Sequence, residues 1–102
     1  MAKRKIVWSY RAELELGDIL RFYNERNGSK KFSLRILKDA KKSVSLLIKY
    51  THLGKISDNY KTRALVRQYL SVFYEITDRE IEIVSVWDNR QDPVNRIDNP
   101  KA

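Results

Sequence analysis

The chain is 102 residues long, 33% charged and 42% hydrophobic, the size and balance of one globular domain with little volume to spare for a deep catalytic cleft. It has no cysteine and one histidine, His52, which excludes disulfides, thiolate zinc sites, a thiol nucleophile and a multi-histidine metal site, so no cofactor is expected. No run approaches the ~20 apolar residues of a membrane helix and the start lacks a signal-peptide core, so the expected compartment is the cytoplasm, with no membrane contact, while a formal charge of +8 calls for an acidic or polyanionic partner.

In chain order, Lys5-Ile6-Val7-Trp8-Ser9 reads as a short strand ending on a residue suited to cap a helix. Tyr10 to Arg26 places Leu16, Ile19, Leu20 and Tyr23 at helical spacing, and Asn27-Gly28 supplies a stop. Ser29 is a second cap. Lys30 to about Tyr50 then carries Phe32, Ile36, Ala40, Val44 and Leu47 along one face, the strongest periodicity in the chain. So short a link makes the two helices an antiparallel hairpin. Thr51 to Asn59 reads as a loop, followed by three strands over Lys61–Val66, Leu70–Ile76 and Ile81–Trp87. Thr77-Asp78-Arg79-Glu80 joins the last two; no Gly or Pro marks the turn at Arg67-Gln68-Tyr69. In the last strand Ile81, Ile83, Ser85 and Trp87 share a face by alternation. Residues 94–102 read as a loosely held tail on a single domain spanning 1–102. The expected architecture is α+β: an N-terminal strand, an antiparallel helical hairpin and a three-stranded antiparallel meander.

The charge is unevenly placed. Residues 1–67 hold 17 basic and 6 acidic side chains, the remainder 4 and 7. On the second helix Lys31, Arg35, Lys38, Lys42 and Lys49 fall on one side, nearly opposite Ala40, Val44 and Leu47, as a solvated face or a contact surface for an anionic partner. A second group is Lys61, Arg63 and Arg67, flanked by Tyr60 and Tyr69. Lys61 and Arg63, two apart on a strand, point the same way, as a solvated sheet face or a phosphate platform with tyrosines available to stack on bases. Arg90 joins them if the last strand ends beside the first meander strand. His52, in a loop, and Glu75 with Glu82, on strands, are weaker candidates for acid–base chemistry.

The order of elements, with Tyr69-Leu70-Ser71-Val72-Phe73-Tyr74-Glu75-Ile76 on the middle meander strand and Val86-Trp87-Asp88-Asn89-Arg90-Gln91-Asp92-Pro93 closing the sheet, resembles the RelE/ParE superfamily of bacterial toxins over roughly Lys5 to Pro93. That resemblance implies the toxin of a type II toxin-antitoxin pair, neutralised by a cognate antitoxin with an acidic tail. The RelE branch is a metal-independent endoribonuclease that cuts messenger RNA on the ribosome; the ParE branch poisons DNA gyrase. Lys61 and Arg63 match the basic residues the RelE branch places on this strand to hold the scissile phosphate, and Arg90 matches its arginine after the last strand. Lys31, Arg35, Lys38, Lys42, Arg67 and Tyr69 are then the expected contacts to RNA or antitoxin. Ser71 stands where the RelE branch commonly has an arginine, and Pro93-Val94 where it often has a tyrosine. Messenger RNA cleavage is the first expectation, gyrase binding the alternative, and a degenerate antitoxin-binding module the third.

Overall fold

Ser9 separates the first two elements. Lys5–Trp8 forms strand β1, and the Ser9 hydroxyl accepts the Ala12 N–H at 3.0 Å, capping helix α1 (Tyr10–Asn27). The computed structural model describes residues 4–91 and 96–97, so the expected tail lies outside the described residues apart from Arg96 and Ile97, as do Pro93 and Val94. Gly28 closes α1 at φ +61°, the left-handed conformation that glycine adopts without steric cost. Helix α2 (Lys31–Lys49) starts from Lys30 rather than Ser29, whose hydroxyl accepts the Lys31 N–H at 3.1 Å. The hairpin buries Ile19, Tyr23, Ile36, Ala40 and Leu47 of the predicted stripes and half-buries Leu16, Leu20, Phe32 and Val44; it also buries Ser33 and Ser43, whose hydroxyls donate to the carbonyls of Lys30 and Asp39. Such satisfied serines are small enough to let neighbouring elements approach.

The segment after α2, expected as a loop, contains a two-residue strand β2 (Lys55–Ile56). It is too short to show alternation and exists through antiparallel pairing with Arg63 and Ala64. Strands β3 (Thr62–Val66), β4 (Leu70–Ile76) and β5 (Glu80–Asp88) form the meander, and β1 joins β5 in parallel, giving the sheet order β1-β5-β4-β3-β2. The β3–β4 turn, without Gly or Pro, is held by the Arg67 N–H donating to the Leu70 carbonyl at 2.8 Å and by Asn89, just after β5. The Asn89 amide donates to the Arg67 carbonyl at 2.8 Å, and the Asn89 N–H to the Tyr69 carbonyl at 3.0 Å.

Strict alternation fails in β5. Tyr74 pairs with Ile83 and Phe73 with Ser85, so Val84 is an extra residue, a β-bulge. Ile81 and Ile83 join the core beneath the helices before it and Val86 after it, in place of the Trp87 that the sequence pattern predicts. The Glu15 carboxylate on α1 accepts from the Val86 N–H at 3.1 Å and the Ser85 hydroxyl at 2.8 Å, meeting donors at the disrupted stretch. The core lies between the hairpin and the helix-facing side of the sheet, from Ala12, Ile19, Ile36 and Leu47 to Leu70, Val72 and Tyr74. No helix among the described residues is long and apolar enough to cross a membrane.

Two buried tyrosines tie the layers together. The Tyr23 hydroxyl donates to Asp88 at 2.5 Å, binding α1 to the end of β5. The Tyr74 hydroxyl accepts the Gly54 N–H and donates to the Thr51 carbonyl, each at 2.8 Å, fixing the loop after α2. Burial raises both hydroxyls above their ordinary pKa of 10.0, helped at Tyr23 by the hydrogen bond to Asp88 and opposed at Tyr74 by the Gly54 N–H and Arg63.

Gly54 leaves no room for a side chain: a Cβ there would lie 2.7 Å from a Tyr74 ring carbon and 3.1 Å from the Ala64 backbone. Gly54→Ala should therefore lower stability by about 1–3 kcal/mol in chemical denaturation. Because the tyrosine pKa values are higher folded than unfolded, their contribution is complete below about pH 10 and is lost as pH rises through the folded values. The melting temperature should accordingly fall above about pH 10. The double variant Y23F/Y74F should be less stable at neutral pH, by about 1–3 kcal/mol per lost hydroxyl, yet lose less on alkaline titration.

Candidate functional site

The antiparallel meander sorts the candidate cations to opposite ends of the sheet. At one end is the turn entering β3. Asn59 organises it: its side-chain oxygen accepts the N–H groups of Lys61 and Thr62 at 2.9 and 2.8 Å, and its amide donates to the Thr62 hydroxyl at 2.9 Å. Lys61 and Arg63 line one shallow depression with His52, Ile56, Tyr60 and Ile76, although Lys61 precedes β3 rather than lying on it, so strand alternation is not what brings the two together. The Lys61 ammonium lies 3.5 Å from Glu75, whose other oxygen accepts the Thr62 hydroxyl at 2.9 Å. Arg63 sits opposite Tyr74 and donates to the Gly54 carbonyl at 2.8 Å and to that of His52 at 3.4 Å. Its guanidinium is thus directed at the loop that Tyr74 fixes. Glu75 and Glu82 are register partners on β4 and β5, a like-charge pair that the contacts from Lys61 and Thr62 to Glu75 relieve.

At the other end are Arg67, Tyr69 and Arg90. The Arg90 guanidinium lies 4.6 Å from the Phe32 ring centroid and 5.5 Å from that of Tyr23, and Tyr69 packs edge-on to Phe32 at 5.3 Å. The Arg90 N–H also donates to Asp88 at 3.0 Å, the carboxylate that receives the Tyr23 hydroxyl. Arg67 lies 3.6 Å from Asp39 on α2, an ion pair whose side chains are 28% and 12% exposed. It is just beyond hydrogen-bond distance, and Arg67 Nε and Asp39 Oδ2 have no hydrogen-bond partner among the described residues.

The expectation that Arg90 joins Lys61 and Arg63 is therefore not met. Strand β5 lies beside β4 and β1 rather than β3, and it runs parallel to β3, so its end is remote from where β3 begins. From the row of Arg63, Tyr74 and Ile83 to the row of Leu70 and Asp88 is four residues along β4, about 13 Å at ~3.3 Å per residue, with Arg90 beyond it. Arg67 and Tyr69 separate from Lys61 and Tyr60 for the same reason. Ser71, in the middle-strand position, is fully buried and donates to the Asn89 side chain at 2.6 Å.

Lys31, Arg35, Lys38, Lys42 and Lys49 are all exposed on α2, opposite its buried face. Among the described residues none of the five has a carboxylate within 4.0 Å, so the stripe is a line of solvated cations. Sequence reasoning missed Tyr23, Phe32 and Asp88 as the setting of Arg90. Both aromatics read as core, and no local pattern joins residues this far apart in the chain.

General acid–base cleavage of RNA requires a base, an acid and a stabilising cation within hydrogen-bond reach of one phosphate. Lys61, Arg63 and Arg90 do not converge on one. The arrangement instead presents three separate surfaces: the apolar and basic depression beside Tyr60, the aromatic-backed Arg90 corner, and the α2 stripe.

A comparison with solved structures finds the same fold in a chain described as "Chromosomal ParDE TA system from P. aeruginosa", with a TM-score of 0.71 and 21% identity over 84% of this chain and 96% of that one. No curated protein gives a significant match. A family model described as "ParE toxin of type II toxin-antitoxin system, parDE" matches residues 6–93, which take in β1, the helical hairpin and the whole meander. With nearly the whole fold inside that match, the chain belongs to the family of ParE toxins of type II toxin-antitoxin systems.

Proposed function

We propose that this chain poisons DNA gyrase by binding it and does not cut messenger RNA. The observation that carries this reading is the separation of Arg90 from Lys61 and Arg63, together with the use each arginine already has in the fold: Arg63 on loop carbonyls and Arg90 over two aromatic rings. A buried serine at position 71 adds a missing cation to a dispersed set. Binding needs none of this convergence; it needs exposed surface with complementary chemistry.

The cognate antitoxin, in the same proposal, lays an acidic tail along α2. Lys31, Arg35, Lys38 and Lys42 have no carboxylate partner among the described residues, so an incoming acidic segment meets exposed charges that those residues leave unanswered. Exposed charges of this kind chiefly accelerate encounter and make it salt-dependent.

Induction of the toxin without its antitoxin should produce gyrase-linked DNA breaks while transcript ends remain as in uninduced cells. New transcript ends that depend on ribosomes, without breaks, would overturn the reading. Arg90→Ala should lower stability by about 1 kcal/mol through loss of its contacts with Phe32 and Tyr23, and should create no change in transcript ends. Replacing Lys38 and Lys42 together by glutamate should slow antitoxin association at least roughly tenfold at low salt, with a smaller effect at high salt, as measured by stopped-flow mixing.

A further inference from the structure

Tyr60 is 85% exposed and sits at φ +58°, the left-handed region that bulky side chains rarely enter. Holding it there costs on the order of 1 kcal/mol, and the side chain buries almost nothing in return. The turn itself is held by other groups: the Tyr60 N–H donates to the Ser57 carbonyl at 2.9 Å, and the Asn59 side chain clamps Lys61 and Thr62. Glycine or asparagine at position 60 would suit that backbone better. The fold therefore gives no reason for an aromatic side chain here, which directs attention to what lies beside it.

Tyr60 forms one wall of the depression shared with Ile56, Ile76, His52, Lys61 and Arg63. Ile56 is 38% exposed, and among the described residues no carboxylate lines the depression, the nearest to its Lys61 being Glu75 at 3.5 Å. Apolar and aromatic side chains beside the Lys61 ammonium, 74% exposed despite the nearby Glu75, complement a protein segment that offers a carboxylate next to an aliphatic or aromatic residue. A nucleic acid strand fits less well, since Ile56 and Ile76 offer nothing to a phosphate and Arg63 is aimed at the Gly54 and His52 carbonyls. The uncompensated cations that suit a polyanion lie elsewhere, on α2.

We propose that this corner is the surface with which the toxin docks on its protein target, engaging an acidic segment with Tyr60 as the anchoring side chain; this rests on the protein-binding reading above. Contact with the target accounts for an exposed aromatic kept at a strained position. The antitoxin is assigned to α2 instead, so target and antitoxin contacts are separable by mutation.

The test uses full-length Tyr60→Gly and Tyr60→Asn, both compatible with the left-handed backbone, produced with the antitoxin and then induced without it. The melting temperature of each should equal or exceed the wild-type value, antitoxin should co-purify as before, and gyrase-linked breaks at equal toxin level should fall at least tenfold. Undiminished breaks in both variants overturn the proposal. So does a lower melting temperature in both, which would make Tyr60 a residue of the fold, and so does loss of antitoxin co-purification. Tyr60-dependent binding of a single-stranded RNA oligonucleotide would also overturn it, in favour of nucleic acid at this corner. Wild-type toxin that cuts transcripts and makes no breaks refutes the gyrase reading itself. Wild-type breaks that persist in both variants refute only the assignment of this surface.

Discussion

The alternating direction of β3, β4 and β5 is the constraint on which the functional reading depends. Antiparallel neighbours exchange ends at every turn, so the start of β3 lies with the end of β4 and the start of β5, while Arg90 follows the end of β5. Strand spacing then places the two basic groups more than a strand half-length apart. That separation is set by backbone hydrogen bonds and by strand register. The same geometry gathers Arg67, Tyr69, Asn89 and Arg90 around the β3–β4 turn, where Asn89 supplies the polar contacts that the turn's own sequence lacks.

Two hydroxyl groups extend this sheet into a two-layer molecule. Tyr23 reaches from α1 to Asp88, and Tyr74 reaches from β4 to the loop beyond α2. Each is buried, so its hydrogen bonds are made in place of water rather than in competition with it, and leaving one unmade is costly. Tyr74 has a further effect on charge. By holding Thr51 and Gly54, it sets the carbonyls that receive Arg63, converting a cation that would otherwise point to solvent into part of the loop's support. Asp88 does something similar for Arg90, accepting its backbone N–H while Tyr23 and Phe32 provide the aromatic surface beneath its guanidinium.

The excess positive charge of the chain is thereby divided by function. Arg63, Arg67 and Arg90 are engaged with carbonyls, a carboxylate and aromatic rings respectively, whereas the α2 cations are left to solvent. Paired charges near a surface add little net stability, and unpaired ones add field. The net +8 is thus a poor guide to how many cations are left to solvent; among the described residues the α2 stripe is exposed with no carboxylate within 4.0 Å.

Much of the fold was legible in the sequence. Helical periodicity at Phe32, Ile36, Ala40, Val44 and Leu47, the Ser9 cap, the Gly28 stop and the β-rich segments depend on interactions within a few residues, which leave a local pattern. The exposed stripe of α2 was equally legible, because one helix decides which of its side chains share a side. The two-residue strand β2, the bulge at Val84 and the use of Asn89 in a distant turn left no such pattern, since each is created by pairing with a remote segment. The distribution of candidate residues belongs to the same class. Sequence by itself determined the two helices, the four longer strands, the superfamily resemblance and the chemical types available; only tertiary structure decided that Lys61 and Arg63 stand apart from Arg90, because separation along a sheet is set by strand order, direction and register between segments that sequence distance does not encode.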